Sequence, residues 1–174
     1  LGGYPGPLRE LAGVWVEEID ALAPEQTNKI TFADGTSSTC SLLCDLIHLE
    51  GAQSVASYES NFYAGMPAIT KNQYGKGYTY YIGTNPTEDG IVKVLDMAVL
   101  TAGVSSVVAE ATGLEITCRK ADRFTYYFIF NFKDKVLPLP GNFIGQRDLL
   151  TGEIIPEGCH LKQYDAYLVA FLNE

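Results

Sequence analysis

Histidine is nearly absent from this chain, with two residues in 174. That is too few for a His-rich metal centre, and His48 and His160 each lie in a strand-like context that suits a packed or surface ring. Positive charge is scarce as well: 12 Lys and Arg stand against 21 Asp and Glu, for a net charge of −9. With no basic cluster and no RNA-binding signature, that balance argues against nucleic acid and anionic membrane surfaces as partners. No apolar run is long enough to span a bilayer, and no basic, apolar, small-residue series resembles a signal peptide. Leu1 is not an initiator methionine, so a targeting signal upstream of it stays open. The four cysteines, Cys40, Cys44, Cys118 and Cys159, show neither a zinc-ribbon nor a thioredoxin spacing. They are expected to be reduced, mostly buried thiols, which suits a cytoplasmic protein. The rest of the composition, 47% hydrophobic, is that of an ordinary globule of one domain or two small ones.

Aromatic residues and glycine gather in residues 58–84, Y-E-S-N-F-Y-A-G-M-P-A-I-T-K-N-Q-Y-G-K-G-Y-T-Y-Y-I-G-T. Here 67–70 reads as a short apolar strand, 72–77 as a Gly-rich turn, and 78–83 as a second strand with aromatics on both faces. Gly75 and Gly77 suit positive φ, and Lys76 between them points into water. Upstream, 7–12 reads as one helical turn opened by Pro7 and stopped by Gly13. Residues 14–20 form a strand with Val14, Val16 and Glu18 on one face and Trp15, Glu17 and Ile19 on the other. Asp34-Gly35 marks a hairpin between 28–32 and a strand returning at 36–41 that runs on to 49. Glu50-Gly51 then turns the chain into a strand at 54–58.

After Asn85-Pro86, Thr87 is placed to cap a helix, with Glu88 and Asp89 where its dipole favours carboxylates. Ile91, Val92, Leu95, Ala98, Val99 and Ala102 recur at helical spacing as far as Gly103. This apolar stripe needs a sheet to cover, and the strands around Val55 and Ile82 are the candidates. Beyond residue 105 the signals are those of strands, at 107–109, 114–119, 124–132, 136–139, 142–150 and 167–172. Short strands with regular turn signals make an all-β sandwich or barrel.

The wording P-A-I-T-K-N-Q-Y-G-K-G-Y-T-Y-Y-I-G-T, preceded by Gly2-Gly3-Tyr4-Pro5-Gly6-Pro7-Leu8-Arg9 and Val16-Glu17-Glu18, resembles the middle domain of family 42 glycoside hydrolases, the bacterial β-galactosidases. G-L-E-I-T-C-R-K, F-I-F-N-F, D-L-L-T-G and L-K-Q-Y-D-A-Y-L-V-A-F resemble the family's last domain in order and spacing. In that family a catalytic (β/α)8 barrel comes first, an α/β trimerisation domain second and a small all-β domain last. The resemblance therefore implies the second half of a flavodoxin-like, class I glutamine amidotransferase-like α/β trimerisation domain over 1–106, and a C-terminal β-sandwich over 107–174. It also implies two partners, other copies in a homotrimer joined through the α/β domain and the catalytic barrel of the same polypeptide. A half domain of this kind leaves a sheet edge unpaired and a helix stripe partly uncovered. The chain alone is thus expected to be oligomeric or poorly stable.

Hydrolysis of a galactoside with retention needs two carboxyls facing each other across the scissile bond. The resemblance implies that the family's pair are glutamates on the barrel, which no part of this chain matches. Glu17 and Glu18 are adjacent on a strand and point to opposite faces. Glu88 and Asp89 are helix-start residues, and Glu50 and Glu59 flank turns. The likeness to amidotransferases raises a cysteine nucleophile, but Cys40 and Cys44 lack a Gly-flanked elbow and no Cys-His-Glu arrangement can be traced. No catalytic, substrate-binding or metal-binding residue is assigned, and no cofactor is expected.

Tyr58, Phe62, Tyr63, Tyr74, Tyr78, Tyr80 and Tyr81 are dense enough to make a sugar-stacking platform, and equally suited to a core and a subunit interface, which is the preferred reading. Tyr126, Tyr127, Phe128, Phe130 and Phe132 make the same case more weakly. Two functions follow. One is a non-catalytic segment of a β-galactosidase, serving trimer assembly and bracing the barrel. The other is a free-standing carbohydrate-binding module for galactosides, whose tyrosine or tryptophan fluorescence would change with galactose or lactose.

Overall fold

Pro7 and Gly13 bracket the first regular element. A single 3-10 turn, Gly6–Leu8, leads into α1 (Arg9–Ala12), and Gly13 ends it at φ +64. Asn72 makes that ending firm: its side-chain amide donates to the Glu10 and Leu11 carbonyls at 3.2 and 2.9 Å. The computed structural model describes residues 3–109, 111 and 113–173. They fall into two compact units, Leu1–Ser105 and Ser106–Glu174.

The first unit continues with β1 (Val14–Ala21), β2 (Asn28–Phe32), β3 (Ser37–Leu49), β4 (Gln53–Tyr58), β5 (Pro67–Tyr74), β6 (Gly77–Ile82) and β7 (Thr84–Pro86). They form one sheet in the order β1-β3-β2-β4-β5-β6, with β7 paired to β3. Each of these pairings is antiparallel. The doubly wound, flavodoxin-like pattern expected from the resemblance is therefore not what the described strands show. The physical reason is local: the strands are joined by short loops, and a parallel neighbour needs a crossover of about a dozen residues or more. The β2–β3 loop turns at Gly35, φ +84, with the Asp34 carboxylate accepting from the Thr36 amide at 3.0 Å. The β5–β6 loop is only Gly75-Lys76, with positive φ at Gly75 and not at Gly77. A two-residue loop with glycine first matches strand twist, so 72–74 belong to β5 rather than to the turn.

β3 is the longest strand, and it changes partner along its length. Residues 37–40 pair with β2, 43–49 with β1, and 40–44 with β7. Leu42 takes φ +68 where those pairings meet. β1 is not regular either. Its register against β3 shifts between Val16 and Ile19, which breaks the strict alternation expected for Glu17 and Glu18, and both side chains are exposed.

α2 (Glu88–Thr101) follows the sheet and ends as expected, with Gly103 at φ +65 and the Val104 amide closing on the Val99 carbonyl at 3.1 Å. Its start differs. Thr87 is the N-cap, but its hydroxyl is engaged by Ser38, Thr39 and Asp89 rather than by the helix amides. Its buried face also differs. Gly90 and Val94 are enclosed and Met97 packs behind them, whereas Val92, Leu95 and Val99 are exposed. The sheet it covers is the expected one, because Val94 shares a cluster with Ile30, Phe32, Tyr58 and Ile69, and Val55 and Ile82 pack at its margin. A second cluster of Ala12, Val14, Val16, Ile47 and Ala52 gathers around α1 and the β1 end of β3.

The second unit holds a three-stranded antiparallel sheet, β8 (Glu115–Lys120), β9 (Phe124–Phe130) and β12 (Ala166–Leu172), in the order β12-β9-β8. A small pair, β10 (Leu137–Pro138) and β11 (His160–Leu161), completes it. Residues 142–150, expected to be a strand, instead start in a 3-10 turn, Gly141–Phe143, and continue irregularly. Asp148 holds that segment together, accepting from the Leu150, Thr151 and Leu168 amides and the Thr151 hydroxyl. Residues 107–109 are not a strand either. The core is Ile129, Phe143, Ile155, Leu161 and Val169. Sheet-rich units with few helices are thus what the described residues show.

Candidate functional site

The carboxylates considered from sequence are dispersed, and most have local partners. Glu17 meets His48 at 2.7 Å, and the His48 ring stacks on Trp15 with centroids 4.9 Å apart. Glu50 is bonded to Arg9, which holds its carboxyl below the ordinary value. Glu59 accepts from the hydroxyls of Thr31 and Ser37, with the same effect on its pKa. Asp89 accepts from Thr87 at the helix start, which lowers it too. These are pairings of exposed strand ends and turns, worth little individually to stability. His160 is exposed, its Nδ1 2.6 Å from the Gly158 carbonyl. Among the described residues no group of three or more His, Cys, Asp or Glu is arranged to hold a metal ion.

Cys40 and Cys44 do come together, on β3 either side of the Leu42 irregularity, and both are enclosed at 1% and 0% exposure. A hydrogen bond with Cys44, with burial added, pushes the Cys40 thiol above the ordinary cysteine value. The same bond favours the thiolate of Cys44 against its burial. A sulfur with no exposed surface cannot meet an acyl substrate, so the pair is core. None of the four cysteines is in a disulfide.

The aromatic set of residues 58–81 is split by the fold. Tyr58 and Tyr63 are core rings, and their hydroxyls donate to the Gly83 carbonyl and the Asp20 carboxylate, each at 2.8 Å. Tyr80 and Tyr81 are half-buried and tied to α2 and to Asp45. Tyr74 and Tyr78 are about half exposed at the β5–β6 hairpin, where the Lys71 ammonium lies 4.3 Å from the Tyr78 ring. Phe62 stands apart, 77% exposed. In the second unit, Tyr127 faces the core against Phe143 and Phe171, and Phe132 is exposed.

Two surfaces of the first unit therefore stand out. One is assembled from α2 and β6. Val92, Leu95 and Val99 form an outward apolar row on the helix, and β6 ends the hydrogen-bonded order of the sheet. Between them Tyr78, Tyr80, Ala98, Thr101 and Ala102 line a groove of about 470 Å³. The other is a polar pocket of about 590 Å³ beside Phe62, lined also by Asp20, Glu25, Gln26, Thr27 and Asn61. Sequence reasoning named Phe62 among the aromatics but missed its surroundings. Asn61, which holds φ +71, was the available signal, since asparagine before a turn tolerates the left-handed region.

Two family models match the chain. One, described as the beta-galactosidase trimerisation domain, covers residues 1–105, and the other, described as the beta-galactosidase C-terminal domain, covers 113–168. The chain is similar to the β-galactosidase LacA of Lactobacillus acidophilus, 45% identical over 154 residues that make up 88% of this chain and 23% of that protein. It is similar to the β-galactosidase BgaP of Planococcus sp. (strain L4), 39% identical over 175 residues, covering 98% of this chain and 26% of that one. Among solved structures, the β-galactosidase from Bacillus circulans sp. alkalophilus superposes with a TM-score of 0.82 at 32% identity, over 98% of this chain and 26% of that chain. The chain spans about a quarter of the length of the relatives it matches.

Proposed function

Because the chain belongs to the family 42 β-galactosidases, matching their trimerisation and C-terminal domains, we propose that it is a non-catalytic segment serving assembly. In this reading the first unit is the C-terminal part of the trimerisation domain, joining copies into a homotrimer. The second, from about residue 107, braces the catalytic barrel of the same polypeptide. Hydrolysis of terminal β-D-galactose residues is then the work of the longer polypeptide.

The observation that supports this most is the outward apolar row of Val92, Leu95 and Val99 beside the outer edge of β6. A contiguous exposed apolar row of this kind marks an interaction surface. The dispersal of the carboxylates supports the non-catalytic part, since retaining hydrolysis needs two carboxyls about 5 Å apart across one bond. Four free thiols support a reducing, cytoplasmic setting.

Sedimentation velocity over a range of concentrations, with a parallel assay on nitrophenyl β-D-galactoside, tests both parts. Concentration-dependent association without turnover is expected. A monomer at every concentration would remove the assembly role, and turnover would remove the non-catalytic one.

A further inference from the structure

Tyr63 is enclosed completely, and everything around it is arranged to keep it there. Its hydroxyl donates to Asp20 Oδ2 and accepts from the Asn61 side-chain amide, both at 2.8 Å. Asn61 takes φ +71, a left-handed turn conformation that asparagine tolerates. The turn is therefore pinned one residue before and one residue after Phe62, whose ring packs edge-on against Tyr63 at 4.9 Å. The consequence is a large apolar ring, 77% exposed, that lines the polar pocket.

The lining of that pocket defines its ligand. Asp20 and Glu25 offer carboxylate acceptors, Gln26 and Asn61 offer amides, and Thr27 offers a hydroxyl. Among the described residues no lysine or arginine lines it, which is unsuited to phosphate or any other anion. A ring with one apolar face and a rim of hydroxyls fits both parts, because an aromatic face covers its C–H surface while acceptors and amides take its hydroxyls. We propose that this pocket binds a neutral pyranose, seated on Phe62 with its hydroxyls directed to Glu25, Gln26, Thr27 and Asn61. This site goes beyond the assembly role and does not depend on it. Its residues lie on the end of β1 and on two loops, with none on α2 or β6, so a monomeric variant would bind as well.

The test is a titration of the whole chain by amide chemical shifts, with methyl β-D-galactopyranoside and methyl β-D-glucopyranoside in EDTA. Saturable shifts at millimolar sugar are expected around residues 20–27 and 60–64. Phe62→Ala removes an exposed ring, should change the free spectrum only near Tyr63, and should weaken binding by about tenfold, or about 1.4 kcal/mol. Glu25→Gln keeps an acceptor without the charge and should stay within about threefold, or about 0.65 kcal/mol. No saturable shift with either sugar overturns the proposal. So does undiminished affinity in Phe62→Ala, or binding that appears only when a divalent cation replaces the EDTA.

Discussion

Asp45 carries a carboxyl that the fold encloses without fully satisfying. The residue is 4% exposed, Tyr81 donates to Oδ2 at 2.5 Å, and Oδ1 has no hydrogen-bond partner among the described residues. Burial pushes its pKa up, against the pull of the Tyr81 bond. A carboxyl raised on folding leaves stability intact below the unfolded value, about 3.9, and erodes it as pH rises through the folded one. Asp45→Asn should therefore be more stable than the parent chain at neutral pH, by about 1 kcal/mol, with the gap closing near pH 4. Urea unfolding at the two pH values checks this, and a variant no more stable at neutral pH would count against it. Asp148 behaves in the opposite sense. Burial pushes it up, but the Leu168 amide, the Thr151 hydroxyl and the Leu150 and Thr151 amides together bring it below the ordinary value. Its contribution is present above pH about 3.9 and is lost as pH falls through the folded value. Removing the carboxylate leaves those enclosed donors unpaired, so Asp148→Ala should cost the second unit about 3 kcal/mol. Faster amide exchange in β9 and β12, with β3 unchanged, is the expected signature.

At the level of elements, α2 shows what the sequence could and could not tell. Its period was plain, as were its acidic start and its glycine stop. Its phase was not, because apolar residues lie on more than one side of it. Ile91, Val92, Leu95 and Val99 repeat at helical spacing as well as Gly90, Val94, Met97 and Thr101 do. What decides between them is Gly90. A methyl there would come within 2.6 Å of Ser38 Oγ and 2.9 Å of Pro86 Cβ, so this face alone can approach the sheet. Alanine favours helix over glycine by about 1 kcal/mol, yet overpacking costs about 1–3 kcal/mol. Gly90→Ala is therefore expected to lower the melting temperature rather than raise it. The β2–β3 and β5–β6 hairpins were legible because Asp34-Gly35 and Gly75 act on their own neighbours. Residues 142–150 were not, because the carboxylate that shapes them is answered by Leu168, far along the chain.

For the whole molecule, the row of Val92, Leu95 and Val99 is the feature with the widest consequence for behaviour in solution. Replacing Leu95 and Val99 with lysine should shift sedimentation towards the monomer with no loss of secondary structure by circular dichroism, since both side chains already face outward. The apolar stripe was legible, but the sequence set it against the sheet, and the fold leaves Val92, Leu95 and Val99 facing outward. The pocket at Phe62 was not legible, because sequence shows seven aromatics within residues 58–81 and only the fold shows that Phe62 is the most exposed of them.

The long strand β3 adds a statement about time. Its first four residues find β2 within a dozen positions of chain, across one tight turn, whereas its second half joins β1 only by bringing Val14 to Leu49, and its middle meets β7 only when Cys40 reaches Pro86. Closing the longer loops costs more entropy and is slower. One end of β3 is thus expected to pair within microseconds, while its middle waits for residues 84–86 to arrive. A single strand is expected to host both an early pairing and a late one.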